Sequence, residues 1–360
     1  MTADRARRAH RMAQSMLAQG VEQTLIASPY TIRYLTGCDV DAGERVNILL
    51  LHADGCMVWF VNALCAPKTC EDAALQIYRD GEDALALLAG MLRPGRVGVE
   101  HAMLSGFLLE LMEKKPGLRP VNATPAIARV RMIKDEEELA LLRRSSAGND
   151  RALERALNCF DPAMSEREFG MFLLDQYERE DMYTCWPPLV CFGAGAAEPH
   201  HASGKARVRE GDAIVVDTGA DYRGYASDMT RTVFYRRADE EQRRVYETVL
   251  EANLAAIDAV KPGVALDELD RIARSVIEKA GYGEFFTHRL GHSIGVEGHE
   301  FPTLGGGDGM TAEKNMCFSI EPGIYLPGRF GVRIEDLVIV TENDAEVINH
   351  MDKKLRIIGK

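Results

Sequence analysis

The feature that most constrains this chain is a carboxylate inside an apolar, strand-like segment. Asp217 directly follows Ile214-Val215-Val216, a run typical of a buried strand. Residues 225–235 have the pattern of a second strand, and folding the two segments about Tyr222-Arg223 predicts that Asp217 faces Asp228. Opposed residues of a hairpin have Cβ atoms about 4.5–5.5 Å apart. Two carboxylates at that separation in an apolar strand repel each other and are costly to desolvate.

A second hairpin repeats this arrangement later in the chain. Its strands are predicted over residues 315–321 and 331–340, with the turn at Pro327-Gly328. Folding them about this turn predicts that Glu321 faces Glu335, again between apolar neighbours. Two hairpins that each present a pair of acids indicate a shared anionic site.

The two pairs together favour a metal centre over ordinary ion pairs. A single pair could be neutralised by Arg231 or Arg333, but that explanation weakens when two matching hairpins carry the same arrangement. Four carboxylates with a histidine suit divalent cations, with Mn²⁺ first and Co²⁺, Zn²⁺ or Fe²⁺ as alternatives. Four negative charges suit two ions, which would lower the pKa of a bridging water and supply a nucleophile.

The remaining pattern divides the chain into two domains. Residues 1–130 alternate helix and strand signals, which predicts an α/β N-terminal domain. Residues 131–360 show helix, helix and hairpin twice over, which predicts an α+β C-terminal domain with a pseudo-twofold repeat around a shared cleft. A capping box at Ser165 and Glu168 marks the start of one of these helices.

Charge and hydropathy argue against several classes of partner. The net charge of -12 disfavours a nucleic-acid partner, because an acidic surface repels phosphate. The apolar runs are too short to span a membrane, and the polar, basic start lacks the apolar core of a secretory signal. The cysteines form no C-x-x-C pair, so we expect a reduced, cytoplasmic protein.

A series of motifs in this order is similar to the pita-bread metallopeptidases. The motifs are Pro199-His200, Asp217-x-Gly219, Gly224-Tyr225-x-Ser227-Asp228-x-Thr230-Arg231-Thr232, Gly291-His292, His299-Glu300, Glu321-Pro322-Gly323-Ile324-Tyr325 and Gly331-Val332-Arg333-Ile334-Glu335-Asp336. Within that family the chain most resembles the Xaa-Pro aminopeptidases and the Xaa-Pro dipeptidases (prolidases). The resemblance implies a pita-bread fold for the C-terminal domain, a creatinase-like N-terminal domain, a homodimer, and a short peptide substrate with proline at its second position.

The resemblance also implies a role for each predicted metal ligand. Asp217 would chelate one ion, and Asp228 and Glu335 would bridge two ions. His292 and Glu321 would hold the second ion. Glu321 would in addition accept the proton of the attacking water and pass it towards the leaving amine, as a general base and then an acid.

Five further residues take roles from the same resemblance. His200 and His299 would contact the scissile amide and stabilise the tetrahedral intermediate. Arg333 would fix a bridging carboxylate or a group of the substrate. Tyr225 would line the cleft, and His288 is a candidate for the pocket that receives proline.

Two departures from the family pattern bear on the substrate. Ser293 stands where the family usually has glycine after the metal-binding histidine, and could narrow the cleft or add a hydrogen bond. Thr303-Leu304 follows Phe301-Pro302 where many prolidases carry an arginine that holds the C-terminal carboxylate of a dipeptide. This difference favours an Xaa-Pro aminopeptidase, with an Xaa-Pro dipeptidase as the alternative. A hydrolase or lyase of non-peptide amides on the same metal scaffold and a non-catalytic binding module are further alternatives.

Overall fold

The computed structural model describes residues 3–184 and 186–359. The chain divides into two units, Met1–Arg131 and Met132–Lys360. Within the described ranges, every helix is too short or too polar to cross a membrane.

The first unit alternates helices and strands, as its sequence predicts. Its helices are α1 (Ala3–Leu17), α2 (Pro29–Thr36), α3 (Ala84–Met91), α4 (Ser105–Lys114) and α5 (Thr124–Arg131), and its strands are β1 (Gln23–Ile26), β2 (Ile48–His52), β3 (Met57–Asn62), β4 (Ala74–Tyr78), β5 (Gly95–Val99) and β6 (Leu118–Asn122). The strands form one mixed sheet in the order β4-β3-β2-β1-β5-β6. Leu25, Leu50 and Phe60 from this sheet pack with Leu88 of α3 and Leu111 of α4 in an apolar core. The unit is therefore an α/β domain.

The second unit contains the repeated helix-helix-hairpin pattern. Its longer helices are α6 (Glu136–Asn158), α7 (Glu166–Glu178), α8 (Glu240–Asp258) and α9 (Leu266–Lys279), with 3₁₀ turns at Gly193–Ala197 and Gly283–Phe285. Its strands are β7 (Tyr183–Thr184), β8 (Leu189–Phe192), β9 (Ala213–Thr218), β10 (Ala220–Tyr222), β11 (Tyr225–Ala226), β12 (Met229–Tyr235), β13 (Gly291–Ser293), β14 (Glu300–Leu304), β15 (Cys317–Ile320), β16 (Gly323–Leu326), β17 (Phe330–Arg333), β18 (Asp336–Val340), β19 (Ala345–Val347) and β20 (Arg356–Ile358). Helices α6 and α7 precede the hairpin of β9 and β12, and helices α8 and α9 precede the hairpin of β15 and β18.

Local sequence signals explain where these helices begin. Asp135, Ser165 and Asp239 each accept a hydrogen bond from the backbone three residues later in a complete capping box, which starts α6, α7 and α8 respectively. Helix α9 presents a buried apolar face that includes Leu269 and Ile277. Capping thus sets where three of the helices begin, and burial of an apolar face holds the fourth against the core.

The register of the first hairpin differs from the predicted one. Asp217 pairs with Thr230 rather than with Asp228, and continuing the ladder puts Asp228 opposite Gly219. The turn consists of Arg223-Gly224, both with positive φ (51° and 88°), as in a type I′ hairpin turn. It lies one residue later than assumed, which shifts every pairing by two residues. The two aspartates are therefore diagonal neighbours on one face of the hairpin.

The register of the second hairpin agrees with the predicted one. The β15–β18 ladder ends at the pair Ile320–Asp336, and the β16–β17 ladder continues in the same register. The interval between the two ladders places Glu321 opposite Glu335. The glutamates therefore face each other at a break in the strand pairing, where their side chains are close together.

The two hairpins are joined along a seam between β12 and residues 333–336. The backbone N–H of Glu335 donates to the Thr230 carbonyl at 3.1 Å. The Thr232 hydroxyl donates to the Arg333 carbonyl at 2.8 Å, and the Arg231 guanidinium donates to the Glu335 carbonyl at 2.6 Å. These bonds bring the carboxylates of both hairpins into one cluster.

Candidate metal centre

Three buried side chains form the centre of this cluster. Asp228, His292 and Glu335 each offer one possible ligand atom, and these atoms lie within 4.8 Å of one another. The Asp228 Oδ1 atom is buried and accepts no hydrogen bond within the described part of the chain. An unpaired carboxylate oxygen away from water is costly, so the arrangement fits a bound cation.

Glu321 and Asp217 lie at the edges of the same cluster. The His292 Nε2 atom is 3.4 Å from Glu321 Oε1 and 3.7 Å from Asp228 Oδ2. Asp217 is placed against Arg333, whose Nη2 atom lies 2.5 Å from the carboxylate Oδ2. All five predicted ligands therefore converge.

Ion pairing with arginine accounts for only one of these acids. Arg333 pairs with Asp217, whereas Arg231 pairs with Asp336 at 2.8 Å, away from the predicted acid pairs. Within residues 3–184 and 186–359, the structure places no lysine or arginine in ion-pair contact with the other three acids, Asp228, Glu321 and Glu335. Oxygen-rich, uncompensated donors of this kind suit hard divalent cations.

Burial, together with the charges of neighbouring acids, raises the pKa of three carboxyl groups. Burial raises the pKa of Glu321 to about 7. Burial, followed by the charge of Glu335, raises the pKa of Asp228 well above its ordinary value. Burial, followed by the charge of Glu321, does the same for Glu335. Metal binding would have to displace these protons, so occupancy should depend on pH.

His292 is held in an orientation that suits a metal ligand. Its Nδ1 atom lies 3.1 Å from the Ser293 carbonyl oxygen, so a proton on Nδ1 satisfies that acceptor and leaves the Nε2 lone pair facing the carboxylates. Burial, and then the neighbouring His299, lowers the pKa of His292 to about 3. The ring is therefore neutral near pH 7.

A chain of hydrogen bonds links Arg333 to His288. Arg333 donates to the Tyr325 hydroxyl at 2.8 Å, and that oxygen lies 2.8 Å from His288 Nε2. The His288 Nδ1 atom lies 2.8 Å from the Arg289 carbonyl. Burial lowers the pKa of His288 to about 4 and raises that of Tyr325 to about 12. Both groups are neutral near pH 7, and a neutral His288 accepts from Tyr325 while donating to the carbonyl.

The remaining predicted catalytic and substrate-binding residues, His299, His200 and Tyr225, differ in burial and in the side chains they contact. The His299 ring stacks on the His292 ring with centroids 3.8 Å apart. His200 is exposed and follows the 3₁₀ turn at Gly193–Ala197, and its charge contributes, after burial, to lowering the pKa of His299. Tyr225 is buried in β11 beside the hairpin turn.

Sequence reasoning missed a tryptophan beside this cluster. The Trp186 ring meets the His299 ring edge-on, with centroids 6.4 Å apart. A Cβ added to Gly219 or Gly298 would overlap the Trp186 ring, so both glycines are needed for its close packing. Trp186 lies in a segment without a recognisable motif, and only its proximity in the fold reveals it.

A buried lysine is the second residue that the sequence did not indicate. The Lys134 Nζ atom lies 3.2 Å from Glu300 Oε2 and 3.4 Å from Ser293 Oγ. The Lys134 and Glu300 side chains are only 0% and 4% exposed. Ser293 Oγ also donates to the Cys317 carbonyl at 3.0 Å. The serine that replaces the usual glycine therefore adds a hydrogen bond at this buried pair.

We expect the metal-free protein to lose stability as the pH rises above about 6.5. Glu321 has a pKa raised from 4.5 to about 7, so its contribution to stability is present at low pH and is lost as the pH rises through 7. A shift of this size corresponds to about 3 kcal/mol, which is lost over the whole interval from pH 4.5 to 7. Above pH 6.5 the remaining loss comes from the end of this interval and from Asp228 and Glu335, whose pKa values are raised well above their ordinary values. The lowered pKa of His292 acts in the opposite direction, but only below its ordinary value of 6.5.

Thermal unfolding in a chelating buffer between pH 6.5 and 8.5 measures this effect. The melting temperature should fall across the range, and saturating Mn²⁺ should remove the slope. A melting temperature that rises with pH in the chelator would contradict the assignment of raised pKa values to these acids.

Comparisons with known proteins identify the family of this chain. Residues 8–133 match the creatinase/prolidase N-terminal domain, and residues 140–342 match metallopeptidase family M24. A protein named Xaa-Pro dipeptidase from Lactobacillus helveticus is 36% identical over 345 residues, covering 92% of this chain and 94% of the relative.

Two solved structures resemble the whole chain. A dipeptidase from Pyrococcus horikoshii OT3 has a TM-score of 0.92 and 34% identity, covering 98% of this chain and 100% of the other. A prolidase from Thermococcus sibiricus has a TM-score of 0.92 and 30% identity, covering 99% and 100%. These matches confirm the predicted resemblance and fold class. The chain therefore belongs to metallopeptidase family M24, with a creatinase/prolidase N-terminal domain, and is a peptidase that uses divalent metal ions.

Proposed function

We propose that this peptidase is an Xaa-Pro dipeptidase that uses two metal ions. The observation that carries the proposal is the convergence of five side chains on one buried cluster, namely Asp217, Asp228, His292, Glu321 and Glu335. Among the described residues, this cluster has too few lysine or arginine side chains to neutralise its acids. The relative named Xaa-Pro dipeptidase, similar over nearly its full length, supports this substrate class. The comparisons thus favour the dipeptidase alternative over the aminopeptidase that the sequence first suggested.

In this proposal the five converging residues hold two ions, for which Mn²⁺ is our first choice because oxygen donors dominate. Bound ions would supply Lewis acidity and a water of lowered pKa. Asp217 would hold one ion, while Asp228 and Glu335 would lie between the two. His292 and Glu321 would hold the other.

Glu321 is the proposed proton acceptor. Its Oε1 atom accepts a hydrogen bond from the Ser319 hydroxyl at 3.2 Å, which orients the carboxylate. Burial raises the pKa of this group to about 7 when no metal is bound, and bound cations would lower it, so the group would be an ionised carboxylate able to accept a proton. The same carboxyl would then return the proton to the leaving amine.

The remaining side chains would bind the peptide. His299, stacked on His292, and His200 would donate to the oxygen of the scissile amide. Arg333 would orient Asp217, which it contacts directly. Tyr225 would line the cleft, and His288 would lie at the pocket for proline. The cytoplasmic location and the homodimer stay predictions from the sequence and the family resemblance.

The test compares substrates on metal-loaded protein. We expect Mn²⁺-dependent hydrolysis of Xaa-Pro dipeptides, with a higher kcat/KM than for Xaa-Pro-Xaa tripeptides, and two ions per chain by elemental analysis. A preference for tripeptides would instead support the aminopeptidase. Cleavage of non-peptide amides alone would support other chemistry on the same scaffold.

A further inference from the structure

An exposed arginine near the candidate metal centre has no side-chain partner among the described residues. The Arg289 side chain is exposed and forms no hydrogen bond or ion pair within residues 3–184 and 186–359. Arg333, in contrast, is committed to Asp217 and Tyr325, and Lys134 is buried against Glu300. Arg289 is therefore available to bind something from outside the chain.

The backbone around Arg289 is firmly held next to the site. The Arg289 carbonyl lies 2.8 Å from His288 Nδ1. The next residue, Leu290, donates its N–H to Asp270 Oδ1 at 3.0 Å and accepts the N–H of Glu321 at 2.9 Å. Arg289 is thus the chain neighbour of Leu290, whose backbone is bonded to that of Glu321. Because binding groups on rigid elements are positioned accurately, the Arg289 side chain starts from a well-defined place beside the site.

The charge of Arg289 reaches the groups proposed to act on the scissile bond. It contributes, after burial, to the lowered pKa of His292 and His299. It also lowers the pKa of Glu321, against the larger effect of burial. These three side chains belong to the cluster of acids and histidines, so the Arg289 guanidinium is close enough for its charge to act on that cluster.

A dipeptide substrate needs such a cation. Its free C-terminal carboxylate lies one residue beyond the scissile bond, close to the acids of the site, and would be repelled without a compensating charge. The arginine that many prolidases carry would fall at Thr303, which pairs with His292 across the β13–β14 ladder. Arg289 lies two residues before β13, and Leu290 between them donates its N–H to the Leu304 carbonyl of β14 at 3.1 Å, so Arg289 is next to the end of the same ladder.

We propose that Arg289 binds the C-terminal carboxylate of the dipeptide and thereby selects dipeptides over longer peptides. This inference rests on the proposed dipeptidase function. Arginine suits the task because its planar guanidinium can bind a carboxylate through two parallel hydrogen bonds.

The test replaces Arg289 and removes the carboxylate from the substrate in parallel. For Arg289→Ala we expect kcat/KM on an Xaa-Pro dipeptide to fall roughly 10- to 100-fold, chiefly through KM, because a charge-assisted hydrogen bond is lost. On the matching Xaa-Pro amide, which has no carboxylate, the same variant should equal the wild type. Arg289→Lys should recover part of the loss, because it restores the charge without the planar fork.

Controls separate binding from damage to the site. Arg243→Ala changes an exposed arginine on α8 and should leave both substrates unaffected. Metal content of Arg289→Ala should equal that of the wild type. An equal loss on dipeptide and amide, or no loss on either, would overturn the role of Arg289 while leaving the dipeptidase proposal intact. Wild-type protein that cleaves no Xaa-Pro dipeptide would overturn the proposed function, and this inference with it.

Discussion

Replacing Asp228 with asparagine is expected to abolish peptidase activity and to leave the metal-free fold at least as stable. The side chain is buried, and its Oδ1 atom has no hydrogen-bond partner within the described residues. Asparagine keeps the shape of the aspartate side chain but removes the negative charge that would bind a cation. Losing several kcal/mol of metal-dependent stabilisation of the transition state corresponds to about a 10³-fold or greater loss of kcat/KM.

The same substitution should change stability in opposite directions with and without metal. In a chelating buffer at pH 8, Asp228→Asn removes one of three mutually repelling buried acids, so its melting temperature should equal or exceed that of the wild type. With Mn²⁺, the wild type should gain stability and the variant should not. Asp175→Asn, on the exposed side of α7, is the matched control. A variant that keeps two ions and full activity would exclude Asp228 as a ligand.

Replacing Lys134 with methionine is expected to cost about 3–5 kcal/mol of unfolding free energy, because it removes the positive charge from a buried ion pair and so leaves the charge of Glu300 without this compensation. Activity should fall as well. Ser293 and Glu300 contact this lysine, and each is the chain neighbour of a histidine in the site, His292 or His299. Chemical denaturation of the metal-loaded protein gives the stability, and kcat/KM on an Xaa-Pro dipeptide gives the functional effect.

A double variant separates loss of the ion pair from general damage. Lys134→Met with Glu300→Gln removes both charges and should recover most of the lost stability, since the cost arises from a buried carboxylate charge that has lost its lysine. Lys314→Met removes a lysine of similar length from an exposed ion pair with Glu342 and should cost no more than about 1 kcal/mol. If the single Lys134 variant were as stable as the wild type, the pair would not be the buried contact described above.

The two hairpins show which part of the site can be derived from sequence alone. The second could be folded correctly because Gly328 marks its centre and the acids lie symmetrically about it. In the first hairpin, the turn contains Arg223 with a positive φ. This conformation is uncommon for arginine and could not be predicted from the sequence. The prediction that Asp217 and Asp228 lie on the same face of the hairpin was nevertheless correct, because a shift of two residues preserves the alternation of side chains.

The residues beside the site that sequence reasoning missed could not be predicted for the same physical reason. Lys134 meets Ser293 and Glu300 only because distant segments of the chain fold together. Trp186 likewise packs against Gly219 and Gly298 from a separate segment. Neither has a local spacing or composition that distinguishes it from an ordinary buried residue. The candidate ligands could be proposed from the sequence because acids inside apolar strands are conspicuous in any context.

The seam between the hairpins limits how the site can move. Thr230, Arg231 and Thr232 bond the backbone of residues 333–336 directly, so the two hairpins cannot separate without breaking several buried hydrogen bonds. We therefore expect the candidate donor atoms on the two hairpins to keep their spacing, so that an incoming ion would meet a preformed site rather than assemble one.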